Sequence, residues 1–145
     1  MVRLERKCSN LPYLVLMQTS KAVQDRMRLE LTKNNLSLTE FSVLEVLYFK
    51  AKQTIQQIGN RVLISSGSMT YVIDKLEKRG LLKRIACLDD RRAIHVALTN
   101  EGNRLMVNIM PKHQELVEYI FGSLNNNEAE QLAKLLKKVN ERANH

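Results

Sequence analysis

The spacing of apolar residues between Thr54 and Thr99 changes its period partway along. Ile55, Ile58 and Val62 recur at i, i+3 and i+7, which predicts a short helix over residues 54–63. A tight turn follows, then a helix that Ser65 or Ser66 would cap and that Gly80 would end in a left-handed conformation. At about 100° per residue, Met69, Val72, Ile73 and Leu76 gather on one side of this helix. Gly67, Tyr71, Asp74 and Lys78 centre on the other, flanked by Ser68, Thr70 and Lys75. Beyond Gly80 the period falls to two. Leu81–Leu88 and Ala93–Leu98 read as strands, with Ile94, Val96 and Leu98 alternating against Ala93, His95 and Ala97. The charged tip Asp89-Asp90-Arg91-Arg92 joins them.

The flanks are helical. Residues 10–34 form a first helix with Pro12 in its opening turn, where a missing N–H costs nothing. Ser37-Leu-Thr-Glu40 is a capping box that opens a second helix running to about Tyr48. Thr99 can cap a long helix to about Phe121, with a bend expected at Pro111. After the SLNNNEAE loop and cap, Leu132, Leu135, Leu136 and Val139 fall at i, i+3, i+4 and i+7 of a last helix. The expected class is mainly α with a small β-wing. A winged helix-turn-helix lobe covers residues 36–98 within one domain of residues 1–145. The helices over 10–34 and 100–142 carry apolar stripes that so small a lobe could not cover alone, which is the pattern of a dimerisation region.

A length of 145 residues suits one such domain, and a 44% hydrophobic composition suffices for a core. No apolar run reaches 18 residues, so no transmembrane helix is expected. The N-terminal basic residues and the patch LPYLVLM faintly suggest a signal peptide, but seven apolar residues without a small-residue cleavage site fit a cytoplasmic protein better. Two cysteines, Cys8 and Cys87, make no disulfide framework.

Charge is concentrated. The chain carries 23 basic and 15 acidic side chains, but residues 50–95 alone hold 10 basic and 4 acidic, while residues 96–145 balance at 6 and 6. A positive field on a groove-sized motif points to double-stranded DNA, where counterion release supplies affinity without regard to sequence. A helix-turn-helix followed by a basic hairpin has the shape for it: the helix enters the major groove and the hairpin reaches the minor groove or the backbone. The expected DNA contacts are Ser65, Ser66, Gly67, Ser68, Thr70, Tyr71 and Lys75 on the helix, Arg84 on the first strand, and Asp90, Arg91 and Arg92 at the tip. Small hydroxyl residues at the helix start let it approach the groove, and either Arg91 or Arg92 could enter a narrow minor groove while Asp90 orients it. Taken singly, each has a plainer role: the serines as caps, Asp74 with Lys78 as an exposed i, i+4 pair, the tip as a locally neutralised turn. Together on one face they favour DNA.

Enzymatic chemistry has no footing. His95, His113 and His145 are scattered, no H-E-x-x-H, G-x-S-x-G or phosphate-loop motif occurs, and no paired Cys/His spacing suits a metal, so neither cofactor nor metal is expected. The alternative is a winged helix that binds a partner protein instead of DNA. It would need no arginine-tipped wing and would lose affinity with salt far less steeply.

The segment LISSGSMTYVIDKLEKRGLLKR, with Asp90-x-Arg92, then Leu98-Thr99 and Gly102, resembles the recognition helix and wing signature of the MarR family of bacterial transcriptional regulators. The resemblance covers nearly the whole chain. It implies a triangular homodimer with interlocked terminal helices, bound to a pseudo-palindromic operator, most often as a repressor. It also implies release by small phenolic or aromatic compounds or by cysteine oxidation. TEFSVLEVLY, QQIG, SSGSMTYVIDKLEK and ACLDDRR look most like the members that answer quinones and hydroquinones. In the peroxide-sensing branch the reactive cysteine lies near this chain's Tyr13, whereas Cys8 is earlier and Cys87 is in the first wing strand, so that mechanism does not carry over. Two control sites are expected. Cys8 follows Arg3, Arg6 and Lys7, which favour thiolate. Tyr13, Met17, Phe41 and Tyr48 could line a pocket for a small aromatic effector, although such residues are more often core.

Overall fold

The computed structural model describes residues 10–62, 68–86 and 94–145. Its elements are α1 (Leu11–Thr32), α2 (Leu38–Lys50), β1 (Gln53–Thr54), α3 (Ile55–Arg61), α4 (Met69–Lys78), β2 (Leu82–Ala86), β3 (Ile94–Leu98), α5 (Asn100–Phe121) and α6 (Asn126–Ala143). The chain divides into two compact units, separated within α5 between Ile109 and Met110. No helix among the described residues is long and apolar enough to cross a membrane.

Local chemistry explains where the helices begin. The Ser37–Glu40 box is present as expected: the Glu40 amide donates to Ser37 Oγ at 3.0 Å and the Ser37 amide donates to the Glu40 carboxylate at 2.8 Å. A second box, Thr54 with Gln57, opens α3. The α4 cap is Ser68, whose hydroxyl accepts from the Tyr71 amide. The apolar pattern points instead to Ser65 or Ser66, both outside the described residues. Ser68 holds the position because it is the extended residue three before Tyr71, the spacing a cap requires. Helix α1 stops short of the expected residue 34 because Asn35 turns left-handed, at φ 54°. Gly80 does the same after α4, at φ 75°, as its place in the sequence predicts.

The sheet has an element that the apolar pattern does not reveal. Its order is β1-β3-β2, with β3 antiparallel to both neighbours. Gln53 and Thr54 pair with Val96 and His95. Two residues are too few to show a period, so only pairing identifies β1 as a strand. Each element of the first unit from α2 onward, apart from β1, contributes a fully buried side chain to one core: Leu44, Ile58, Ile73, Leu82, Val96 and Met106, from α2, α3, α4, β2, β3 and α5 in turn. Burying each such side chain contributes roughly 1.5–3 kcal/mol.

The second unit holds the rest of α5 and the whole of α6. Asn125 and Glu128 form a capping box at the start of α6. No residue of α6 is buried, and the predicted stripe leaves Leu135, Leu136 and Val139 exposed.

Candidate nucleic-acid interface

Helix α4 has two sharply different faces. Val72, Ile73 and Leu76 are buried in the core of the first unit. Ser68, Thr70, Tyr71, Lys75 and Lys78 are exposed. Tyr71 is 66% exposed. The outer face therefore begins with small hydroxyl groups and an aromatic, then becomes basic toward its end. Ser68, Thr70, Tyr71 and Lys75 are expected there from the sequence, and the structure brings them together. Ser65, Ser66, Gly67, Asp90, Arg91 and Arg92 lie outside the described residues, as do Cys8 and Cys87.

The base of the hairpin is fixed to α4 and to α5 by a short chain of backbone contacts. The Leu81 amide donates to Leu76 O at the end of α4. The Thr99 amide donates to Leu81 O at 3.1 Å, and the Thr99 hydroxyl donates to Gly80 O at 2.6 Å. The same hydroxyl accepts from the Gly102 amide at 3.0 Å, capping α5. Gly102 lies against this turn so closely that a Cβ there would fall 1.9 Å from Leu81 O. The Leu98-Thr99-x-x-Gly102 pattern is thus a fastening of the α5 start onto the α4–β2 turn.

The same end of α4 also reaches back toward the α1–α2 turn. The Arg79 guanidinium donates to Asn35 O at 2.7 Å and lies 3.8 Å from Glu40 Oε2. Glu40 is buried, so Arg79 supplies the charge that its carboxylate needs there.

Arg84 departs from its expected place. Its charge groups it with the DNA contacts in the sequence, but both arms of its guanidinium are taken by α4 carboxylates, Asp74 and Glu77. The reason is strand parity. Arg84 is two residues from buried Leu82 and pairs with buried Val96, so it lies on the inward face of β2 while Lys83 lies outward. Its hydrogen bond to Asp74, aided by the charge of Glu77, raises the Arg84 pKa above its ordinary value, against a smaller opposing effect of burial.

The expected effector residues differ sharply in exposure. Phe41 is a core side chain at 3% exposure, because α2 is buried along Leu38–Leu44. Tyr13 and Met17 are exposed on α1. A cleft of about 350 Å³ among the described residues is lined by others: Ser42, Glu45, Val46, Phe49, Lys50 and Arg61 on α2 and α3. Burial there raises the Glu45 pKa. No group of three His, Cys, Asp or Glu among the described residues could hold a metal ion.

Comparison with known proteins decides the family. The MarR family profile matches residues 36–94, which covers α2 to the start of β3. The HTH-type transcriptional regulator MhqR of Bacillus subtilis (strain 168) is 39% identical over 127 residues, spanning 88% of each chain. This chain belongs to the MarR family. It is a MarR-type DNA-binding transcriptional regulator, with the mainly α winged helix-turn-helix fold of that family. A cysteine-to-serine mutant of MarR from E. coli, complexed with operator DNA, superposes with a TM-score of 0.78 over 92% of this chain and 98% of that one, at 24% identity. BpsR of Bordetella bronchiseptica, whose DNA binding is regulated by 6-hydroxynicotinic acid, superposes with a TM-score of 0.79 over 91% and 94% at 23% identity. At these identities the likeness is one of fold.

Proposed function

We propose that this MarR-family protein is a cytoplasmic, homodimeric repressor of a pseudo-palindromic operator, released by a small phenolic or quinone-type compound or by thiol modification. The observation that carries the reading is the outer face of α4. Ser68, Thr70, Tyr71 and Lys75 project from one side of a helix whose other side is anchored in the core. That side enters the major groove, where Tyr71 and the hydroxyl groups meet base edges and the lysines meet phosphates. The wing tip, with Asp90, Arg91 and Arg92, reaches the minor groove. The MarR neighbour of the same fold, complexed with operator DNA, supports a DNA partner. The exposed apolar residues of α1 (Leu11, Leu14 and Val15) and of α6 (Leu135, Leu136 and Val139) support a homodimer, since such residues gain from a partner surface. Two recognition helices would then address half-sites about one helical turn apart.

The test is a fluorescence-anisotropy titration of duplex fragments from the neighbouring genomic DNA at several salt concentrations. One fragment is expected to bind at least roughly 1000-fold more tightly than scrambled duplex. Its log affinity is expected to fall linearly with log salt. Binding that ignores salt, or no preference among sequences, would end the DNA reading and favour a protein partner.

The release step has its own test. A benzoquinone added to the operator complex is expected to free the DNA for the wild type and not for Cys8→Ser, because Cys8 lies among Arg3, Arg6 and Lys7, which favour the reactive thiolate. Equal release from both proteins would exclude Cys8 and leave Cys87 or reversible ligand binding as the mechanism.

A further inference from the structure

We infer that Arg84 is a positioning residue, a brace that fixes the wing to the recognition helix without itself touching DNA. The inference rests on α4 and the hairpin being the DNA-binding surface.

The geometry is specific. Asp74 and Glu77 are three residues apart and therefore neighbours on one side of α4. Arg84 Nη2 donates to Asp74 Oδ1 and Nη1 donates to Glu77 Oε1. Glu77 grips the strand a second time, since its Oε2 accepts from the Arg84 backbone amide at 3.4 Å. The Arg84 side chain is 26% exposed, whereas Lys75, Lys78 and Lys83 around it are exposed and have no ion pair among the described residues. The basic residues of α4 and β2 thus divide into lysines open to phosphate and two arginines, Arg79 and Arg84, held by their own chain.

Mechanics give the brace its purpose. The hairpin leaves α4 at Gly80, and the contacts of Thr99 and Gly102 pin it at that end. On its β3 side the ribbon is also held midway, where β1 pairs with Val96 and His95. Arg84, opposite Val96 in the middle of β2, supplies the matching hold on the other side, to α4, and the holds together set the angle of the β2–β3 ribbon against that helix. The brace also neutralises charge. Asp74 and Glu77 would otherwise present two negative groups beside the phosphate backbone.

The brace and a direct DNA contact predict opposite signs for one substitution. Glu77→Gln removes a negative charge from the interface and leaves Arg84 freer. If Arg84 touched phosphate, this change would tighten operator binding. The brace predicts weaker binding, by roughly 10-fold, the scale of breaking one coupled contact in a charge network. Arg84→Ala is expected to weaken binding similarly while leaving the slope of log affinity against log salt unchanged; loss of a phosphate contact would lower that slope by about 1. Hydrogen exchange on the DNA-free proteins supplies an independent readout. Both variants are expected to exchange faster at β2 and β3 amides, with α2 still protected. Tighter binding by Glu77→Gln, or a slope reduced in Arg84→Ala, would overturn the inference. If the wild type binds no duplex, the DNA reading fails by itself, and unchanged hairpin exchange in both variants would then overturn the brace.

Discussion

Gly102→Ala is expected to lower the unfolding free energy by about 3 kcal/mol, the upper end of what overpacking costs, whereas Gly59→Ala is expected to raise it by roughly 0.5–1 kcal/mol. The contrast follows from what each new methyl group would meet. At Gly102 a Cβ would fall 1.9 Å from Leu81 O and 2.9 Å from its carbonyl carbon. These are backbone atoms, so no rotamer change relieves the overlap. Nor can the backbone withdraw cheaply, because Leu81 O accepts from the Thr99 amide and the Thr99 hydroxyl holds Gly80 O. Separating α5 from the turn by the needed distance would break both. Gly59 lies on the exposed side of α3, and a methyl group added there would have no neighbour within 4 Å, so alanine only removes backbone freedom from the unfolded chain. Urea melts of the two variants measure the difference directly. A Gly102→Ala protein as stable as the wild type would show that α5 and the α4–β2 turn separate freely.

Tyr71→Ala is expected to leave stability within about 0.5 kcal/mol of the wild type and to weaken operator binding by roughly 1–3 kcal/mol, or about 5- to 150-fold. The side chain is 66% exposed, and its hydroxyl makes no hydrogen bond among the described residues, so the fold loses nothing when it is removed. Alanine is also the better helix former. Any loss must then arise from what the ring meets outside the chain. Binding to scrambled duplex is expected to change much less, because non-specific affinity comes from the cations. If operator and scrambled duplex weaken in parallel, Tyr71 contacts the backbone only. If neither changes, the outer face of α4 is not the reading surface.

The two variants probe different levels of the same pattern. Gly102 is a residue of the wing signature and yet acts through packing, while Tyr71 acts on a surface that the fold merely presents. Arg84 stands between them. Its charge suggests DNA, and its partners place it inside the protein's own framework. The information needed to place it is present as strand parity: Leu82 and Arg84 share a face, Lys83 and Ile85 the other. Counting positive charges in the segment treats all arginines alike and overlooks that alternation.

From the chain alone, the order of the six helices and the two wing strands, the capping box of α2, the left-handed glycine after α4 and the outer face of that helix were legible. Each depends on residues within one or two turns of one another, so local chemistry suffices. The family resemblance was also readable there, because its motif residues lie close together in the chain. Tertiary structure alone decided the remainder. It paired Gln53 and Thr54 with β3, gave Arg84 to Asp74 and Glu77, tied Arg79 to Asn35 and Glu40, and buried Phe41 while leaving Tyr13 and Met17 exposed. Those contacts join elements distant along the chain, and a side chain's charge or size says what it can bind but not which partner the fold will bring to it.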